Sequence, residues 1–211
     1  PGADIWAMDV ARYGDWATKS YTNAKVRENY SRRFRIRFPN EELPAARPLR
    51  TVPIHDRLKA ENAVFGASYG LEYPLWYAPK GQKAEETVTY RRSNAFPVVA
   101  AECNAVRAGV GVMEASGYGR FMVEGPDAEA FLARVMANVP PKTGRMALTP
   151  MLTETGRLAG DLTMGRLGRD QFFLVGSSIA EKFYLRWFEK KRGKLDVRMR
   201  SLLPEQVGLA I

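Results

Sequence analysis

Apolar positions fall into two regimes along the chain. In the first fifty residues, Trp6, Tyr13, Trp16, Tyr21, Tyr30, Phe34 and Phe38 recur among charges. From Asp15 to Arg35 no Pro or Gly interrupts them, which predicts a helix. The stretch FPNEELPAARPLRTVP then places Pro39, Pro44, Pro48 and Pro53 where regular helix cannot continue, and predicts an extended connector. Fifty residues bury too little surface to stand alone. The chain is therefore expected to open in the tail of something larger, with a boundary near residue 53.

From Ile54 onward the pattern is mixed α and β. FPVVAAECNAVRAG has helical spacing, and YGRFMVEG alternates as a strand. GPDAEAFLARVMANV opens with Pro126 in a first-turn position, and Phe131, Leu132, Val135, Met136 and Val139 line one helical face. MALTPML and RLAGDLTMGRL flank TETG as a hairpin, and GRDQ turns into the strand FFLVG. Ser178 and Glu181 have capping-box spacing before a helix that Gly193 ends. LDVRMRSLL alternates as another strand, and the apolar EQVGLAI reads as the start of one more, so the chain is expected to continue beyond Ile211.

One carboxylate breaks the alternation. On the strand after TETG, Leu158, Gly160, Leu162 and Met164 point one way, and Ala159, Asp161, Thr163 and Gly165 the other. The first set is fit for burial. The second surrounds an acid with small residues, which suits either a solvated outer face or a face against which a flat ligand lies. Periodicity leaves both open.

Composition removes several function classes. The formal charge is +9 over 211 residues, divided between a cluster at Arg32, Arg33, Arg35 and Arg37 and another at Lys190, Lys191, Arg192 and Lys194. Such charge is compatible with nucleic acid, an anionic cofactor or a basic surface. The second cluster closes an amphipathic helix, where cations favour the dipole. The lone Cys103, on the expected helix, is read as a buried reduced thiol. The lone His55 excludes a histidine metal site and is read as a structural or surface imidazole. No dinucleotide fingerprint, Walker lysine, signal peptide or apolar run of membrane-spanning length is present.

Three collinear stretches carry a resemblance: VPIHDRLKAENAVFGASYGLEYPLWYAP, GVGVMEASGYGRFMVEGPDAEAFLARVMANV and GRLAGDLTMGRLGRDQFFLVGSSIAEKFYLRWFEKK. In this order they resemble the folate-binding domain of the glycine-cleavage aminomethyltransferases, in the version fused behind a flavin domain in dimethylglycine and sarcosine dehydrogenases. The resemblance implies an α+β, T-protein-like folate-binding domain, incomplete, over residues 54–211. Residues 1–53 look like the tail of an FAD-dependent oxidoreductase domain and its connector. It implies two cofactors: tetrahydrofolate, and FAD held by a domain outside this chain. It also implies as partners a small N-methyl amine and the remainder of the same polypeptide, with no nucleic acid and no membrane. A bacterial cytoplasm is favoured, or the mitochondrial matrix if the source is eukaryotic.

Carried over residue by residue, the resemblance makes Asp161 the acid that faces the folate. The flavin domain would oxidise an N-methyl amine to an iminium, tetrahydrofolate would attack its carbon, and Asp161 would take or relay the proton lost as methylene-tetrahydrofolate forms. General-base catalysis of this kind is worth about 10²–10⁴-fold. An apolar slot around the acid would exclude water, which otherwise releases formaldehyde. Tyr118 matches a ring-contacting position, Thr163 and Val175 match residues lining the slot, and Tyr73 lies in GLEYPLWY, which matches a loop at the cavity entrance. Two positions depart from the simple aminomethyltransferases: Leu148 stands where they have tyrosine, and VGSSI (175–179) replaces V-N-A-A-N. Both favour the flavin-fused branch over a lipoyl-protein-linked aminomethyltransferase. A basic nucleic-acid-binding module is the alternative from another class.

Overall fold

In the computed structural model, which describes residues 8, 10, 13–177 and 180–211, the elements run in the order α1 (Lys19–Ser31), α2 (His55–Ala60), β1 (Ala63–Ser68), β2 (Leu71–Tyr77), α3 (Ala95–Ala108), β3 (Met113–Glu114), β4 (Tyr118–Glu124), α4 (Ala128–Val135), β5 (Met146–Leu152), β6 (Leu158–Gly168), β7 (Gln171–Ser177), α5 (Glu181–Arg192), β8 (Arg198–Ser201) and β9 (Leu209–Ala210). Trp6, Ser178 and Ile179 lie outside the described residues. The chain forms two compact units, one built on Gly117–Gln206 and the other on Tyr13–Ser116 with Val207–Ile211.

In the unit built on Tyr13–Ser116, α1 is shorter than the sequence pattern implies. It starts where Thr18 caps the helix by accepting a hydrogen bond from the Tyr21 N–H at 3.3 Å. It buries none of its residues, so no apolar stripe carries it out to Asp15 or Arg35. The proline-rich segment does not behave as a spacer. The Arg50 N–H donates to the Gly70 carbonyl and the Glu72 N–H to the Arg50 carbonyl, each at 2.9 Å, and these bonds fasten the segment to the β1–β2 hairpin. GLEYPLWY is a strand rather than a loop: β2 pairs with β1 across a turn in which Tyr69 and Gly70 both take positive φ, 49° and 78°. Right-handed strand twist selects such a turn, and glycine occupies its left-handed position without strain.

α3 lies where FPVVAAECNAVRAG predicts it, yet only Ala95 of its residues is buried. The cluster beside α3 holds Val64, Trp76, Ala78 and Ala95, with Val98 of the helix packed against it, and it is too small to cover the helix. Cys103 is exposed as a result, which corrects the expectation of a buried thiol.

The unit built on Gly117–Gln206 is one antiparallel five-stranded sheet in the order β5-β6-β7-β4-β8. Alternate residues of its strands, Met151, Leu162, Met164, Phe172, Leu174, Phe121 and Val123, share one core with Phe131, Leu132 and Val135 of α4 and Tyr184 and Phe188 of α5. Both helices therefore cover the same face of the sheet, an α+β architecture. Two details depart from the sequence pattern. α4 ends at Val135, so Met136 is buried but Val139 is 84% exposed. The register shifts between Met151 and Leu152, and beyond that irregularity Leu158 is 67% exposed rather than buried. Gly193, at φ 63°, ends α5 as expected. Glu181 accepts a hydrogen bond from the Ser201 hydroxyl at 2.5 Å.

Candidate functional site

The strand register fixes what stands on the face of the sheet opposite the helices. Leu148 of β5 pairs with Thr163 of β6, which pairs with Val175 of β7, which pairs with Arg120 of β4. One step along, Pro150 pairs with Asp161, and Ser177 pairs with Tyr118. Paired residues in an antiparallel sheet project to the same side. The two rows therefore bring Leu148, Asp161, Thr163, Val175, Ser177 and Tyr118 to one surface.

That surface is hollowed into a cleft of about 370 Å³ lined by Gly117, Tyr118, Leu148, Asp161, Leu162, Thr163, Val175, Gly176 and Ser177. Thr163 and Val175 are half-buried and make its floor, while Asp161 is exposed at its side. Tyr118 and Leu148, 59% and 64% exposed, stand on β4 and β5 with two strands between them. Three strand spacings separate those two positions, about 14 Å, so the cleft takes a flat group laid across the sheet. The Asn138 side chain donates to the Leu148 carbonyl at 2.8 Å and holds the β5 edge in place. Arg120, two residues beyond Tyr118 on the same face, is 5% exposed and donates to the Gln206 carbonyl at 2.9 Å.

Of the residues singled out from the sequence, Asp161, Tyr118, Thr163 and Val175 meet in this cleft. Tyr73 does not line it. It sits on β2 in the other unit, lining a separate hollow with Leu75 and Trp76, and burial, with Glu42 nearby, pushes its phenol pKa up. Ser177, Gly176 and Gly117 also line the cleft and lie outside the candidates singled out from the sequence. Ser177 carries a readable signal, since it follows Val175 at the strand period of two. Leu148 was visible only as a departure from a family pattern, because its neighbourhood depends on the β5–β6 register. The acid's surroundings also differ from an enclosed apolar slot: the cleft is open and the carboxylate meets solvent.

The other chemistry-bearing residues do not form a competing centre. Among the described residues there is no group of three or more His, Cys, Asp or Glu able to hold a metal ion. His55 lies at the start of α2 with its ring 4.6 Å from that of Phe65. A hollow of about 700 Å³ in the unit built on Tyr13–Ser116 is lined by Glu42, Arg47, His55, Phe65 and Glu72, but Arg47 is engaged in ion pairs with both Glu42 and Glu72. The arginine cluster is partly neutralised where it stands: Arg32 pairs with Glu28 and Glu41, and Arg35 also pairs with Glu41. Lys191 pairs with Glu154 at 2.9 Å and Arg192 with Glu189 at 2.7 Å. No helix among the described residues is long and apolar enough to cross a membrane.

Comparison with known proteins bears on the family and the fold. Residues 54–211 match the family model of the GCVT N-terminal domain, and residues 1–51 match that of the FAD dependent oxidoreductase central domain. Rat mitochondrial dimethylglycine dehydrogenase is 35% identical over 97% of this chain, which corresponds to 24% of the relative. The formaldehyde-forming 4-methylaminobutanoate oxidase of Paenarthrobacter nicotinovorans is 33% identical over 86% of this chain and 22% of its own length. The chain thus spans about a quarter of the length of these relatives. The crystal structure of glycine cleavage system aminomethyltransferase T from Bartonella henselae superposes with a TM-score of 0.60 at 26% identity, covering 76% of this chain and 40% of that one. With the family model matched over most of its length, the chain belongs to the GCVT N-terminal domain family, preceded by sequence of the FAD dependent oxidoreductase central domain.

Proposed function

We propose that this chain is the folate-binding part of a flavin-dependent N-methyl amine dehydrogenase, of the dimethylglycine or sarcosine type, and that the cleft beside Asp161 is where tetrahydrofolate captures the one-carbon unit. The observation that carries the proposal is the convergence of Asp161, Tyr118, Thr163 and Val175 on one hollow of the outer sheet face. Its residues fit the cofactor's chemistry. A flat bicyclic ring needs a broad shallow floor, which Thr163 and Val175 supply, and a wall to pack on, which Tyr118 and Leu148 supply. Its ring and bridging N–H groups need an acceptor, which Asp161 supplies.

Bound there, tetrahydrofolate supplies the nucleophilic nitrogens for one-carbon transfer. The chain's own part is to hold the ring against the sheet and to accept or relay a proton at a carboxylate oxygen of Asp161. The FAD implied by the N-terminal match is assigned to the part of such relatives that lies outside the matched region. The relatives described above come from a mammalian mitochondrion and from a bacterium, so they favour no bacterial compartment. The nucleic-acid reading loses its footing with Arg32 and Arg35 paired to acids, and both relatives are named for amine oxidation rather than aminomethyl transfer.

The test is Asp161→Asn in the full-length enzyme, with flavin reduction by the amine and folate product followed side by side. Dye reduction stays near wild type, methylene-tetrahydrofolate formation falls by about 10²-fold or more, and free formaldehyde rises. A variant with both readouts unchanged makes Asp161 a plain strand acid and removes the proposal.

A further inference from the structure

The side of the sheet behind Asp161 is as specifically built as the side in front. Tyr184, on the first turns of α5, is 4% exposed and lies under the two strands that carry the acid and the cleft floor. A Cβ placed on Gly160 would stand 2.5 Å from the Tyr184 Cε1 atom and 3.0 Å from its hydroxyl oxygen. A Cβ on Gly176 would stand 3.1 Å from Tyr184 Cε2 and 3.4 Å from the backbone carbonyl oxygen of Asp161. The ring thus occupies the space that a side chain at Gly160 would take, and shares with Leu162, whose Cδ2 would be 2.3 Å away, the space at Gly176. Gly160 immediately precedes Asp161, and Gly176 immediately follows Val175.

The hydroxyl end of the ring reaches the same point. It donates to the backbone carbonyl of Asp161 at 3.5 Å. The ring itself is held by aromatic neighbours, edge-on to Phe121 at 6.0 Å and stacked with Phe188 at 6.5 Å. Phe121 and Phe188 are both fully buried, so Tyr184 is anchored in the part of the core that has least freedom to shift.

We propose that Tyr184 is a positioning residue for the folate reaction: wedged beneath Gly160 and Gly176 and bonded to the Asp161 main chain, it sets the height and direction from which the Asp161 carboxylate faces the cleft. This role rests on the function proposed for Asp161. A long hydrogen bond adds little stability of its own, so the consequence lies in geometry. Displacement of a reacting group by about 1 Å can cost up to about 10²-fold in rate. Gly160 of β6 and Gly176 of β7, filled from below by Tyr184 and at Gly176 by Leu162 as well, fix the strand backbone where a larger residue would lift it.

The test uses the full-length enzyme, with wild type, Tyr184→Phe, Gly160→Ala, Asp161→Asn and the double variant Tyr184→Phe/Asp161→Asn. Tyr184→Phe keeps the ring and removes only the hydroxyl. It is expected to lower kcat for methylene-tetrahydrofolate formation several-fold, on the order of fivefold, with flavin reduction and the melting temperature close to wild type. Gly160→Ala pushes on the same ring from the other side and is expected to lower the folate rate likewise with flavin reduction intact, but with a lowered melting temperature because its Cβ overpacks a filled core. It decides the matter if the tyrosine variant does not accumulate as folded protein. Because Tyr184 acts through Asp161, adding Tyr184→Phe to Asp161→Asn should cost no further rate. A wild-type rate in Tyr184→Phe and Gly160→Ala, or losses that multiply in the double variant, overturns the inference. The two failures are distinguishable: silence at Asp161→Asn removes the folate reading and this role with it, whereas a defect there with silent Tyr184→Phe and Gly160→Ala removes only the role of Tyr184.

Discussion

Arg47 grips Glu72 through two hydrogen bonds of 2.7 Å each, one from Nε and one from Nη2, in the parallel geometry that suits guanidinium and carboxylate. The same guanidinium donates to the Phe65 carbonyl at 2.9 Å and to Glu42 at 3.1 Å, so one side chain ties the proline-rich segment to both strands of the β1–β2 hairpin. The bond to Glu72 raises the guanidinium pKa above its ordinary value. Glu72 is only 4% exposed. Arg47→Met therefore strands a buried carboxylate, and the expected loss is about 3–5 kcal/mol in urea unfolding followed at this unit. Adding Glu72→Gln should recover part of the loss, because the stranded charge is gone. A single variant as stable as wild type would show that the pair is not structurally required.

Val175 tests the cleft from its floor. It is half-buried on the outer face, where substitutions usually change stability by no more than about 0.5 kcal/mol. Val175→Trp fills the hollow between Thr163 and Tyr118 without entering the core. Tetrahydrofolate binding by the full-length enzyme, measured calorimetrically, is expected to weaken at least about tenfold, or 1.4 kcal/mol. Unchanged affinity would place the cofactor elsewhere.

Strand periodicity puts Asp161 and Thr163 on one face, but it leaves open whether that face is solvated or holds a ligand. The partners Tyr118 and Val175 came from resemblance, since no local pattern states which strand lies beside which. What failed had nonlocal causes. Cys103 reads as buried because α3 has apolar residues at helical spacing, but a helix is covered only if another element reaches it. Leu158 reads as core because alternation extends to it, but the register shift after Met151 ends the regular ladder first. GLEYPLWY reads as a loop by family comparison and folds as a strand, pinned by the positive φ of Tyr69 and Gly70.

Gly176 is required by packing rather than by backbone conformation. A Cβ there would fall 2.3 Å from Leu162 Cδ2 as well as against Tyr184, and Leu162 is 1% exposed. Gly176→Ala is expected to destabilise by about 1–3 kcal/mol, the usual cost of overpacking a filled core. Gly117→Ala is the matched control, since its Cβ meets nothing within 4 Å. Thermal melts of the two variants should separate clearly. Equal melting temperatures would mean that the sheet yields at β7.

Arg166 and Glu129 give the protein a testable acid response. Arg166 donates to both carboxylate oxygens of Glu129, at 2.9 and 2.7 Å, and so joins β6 to the first turn of α4. The hydrogen bond from Arg166 holds the Glu129 carboxyl below its ordinary value of 4.5. The bond from Lys191 does the same for Glu154. A carboxyl whose pKa is lower in the folded than in the unfolded protein stabilises the fold at pH values above the unfolded pKa. That contribution is lost as pH falls through the folded value. The window therefore lies from about pH 4.5 downward, and neutral pH keeps the full effect. Both acids are at the surface, so each contribution is small and screened by salt. Wild type should melt slightly above Glu129→Gln at pH 7 in low salt, the gap should narrow from pH 5 to pH 3, and added salt should narrow it at pH 7 as well. A gap that stays constant across that range would show that Glu129 acts through shape and hydrogen bonding rather than charge.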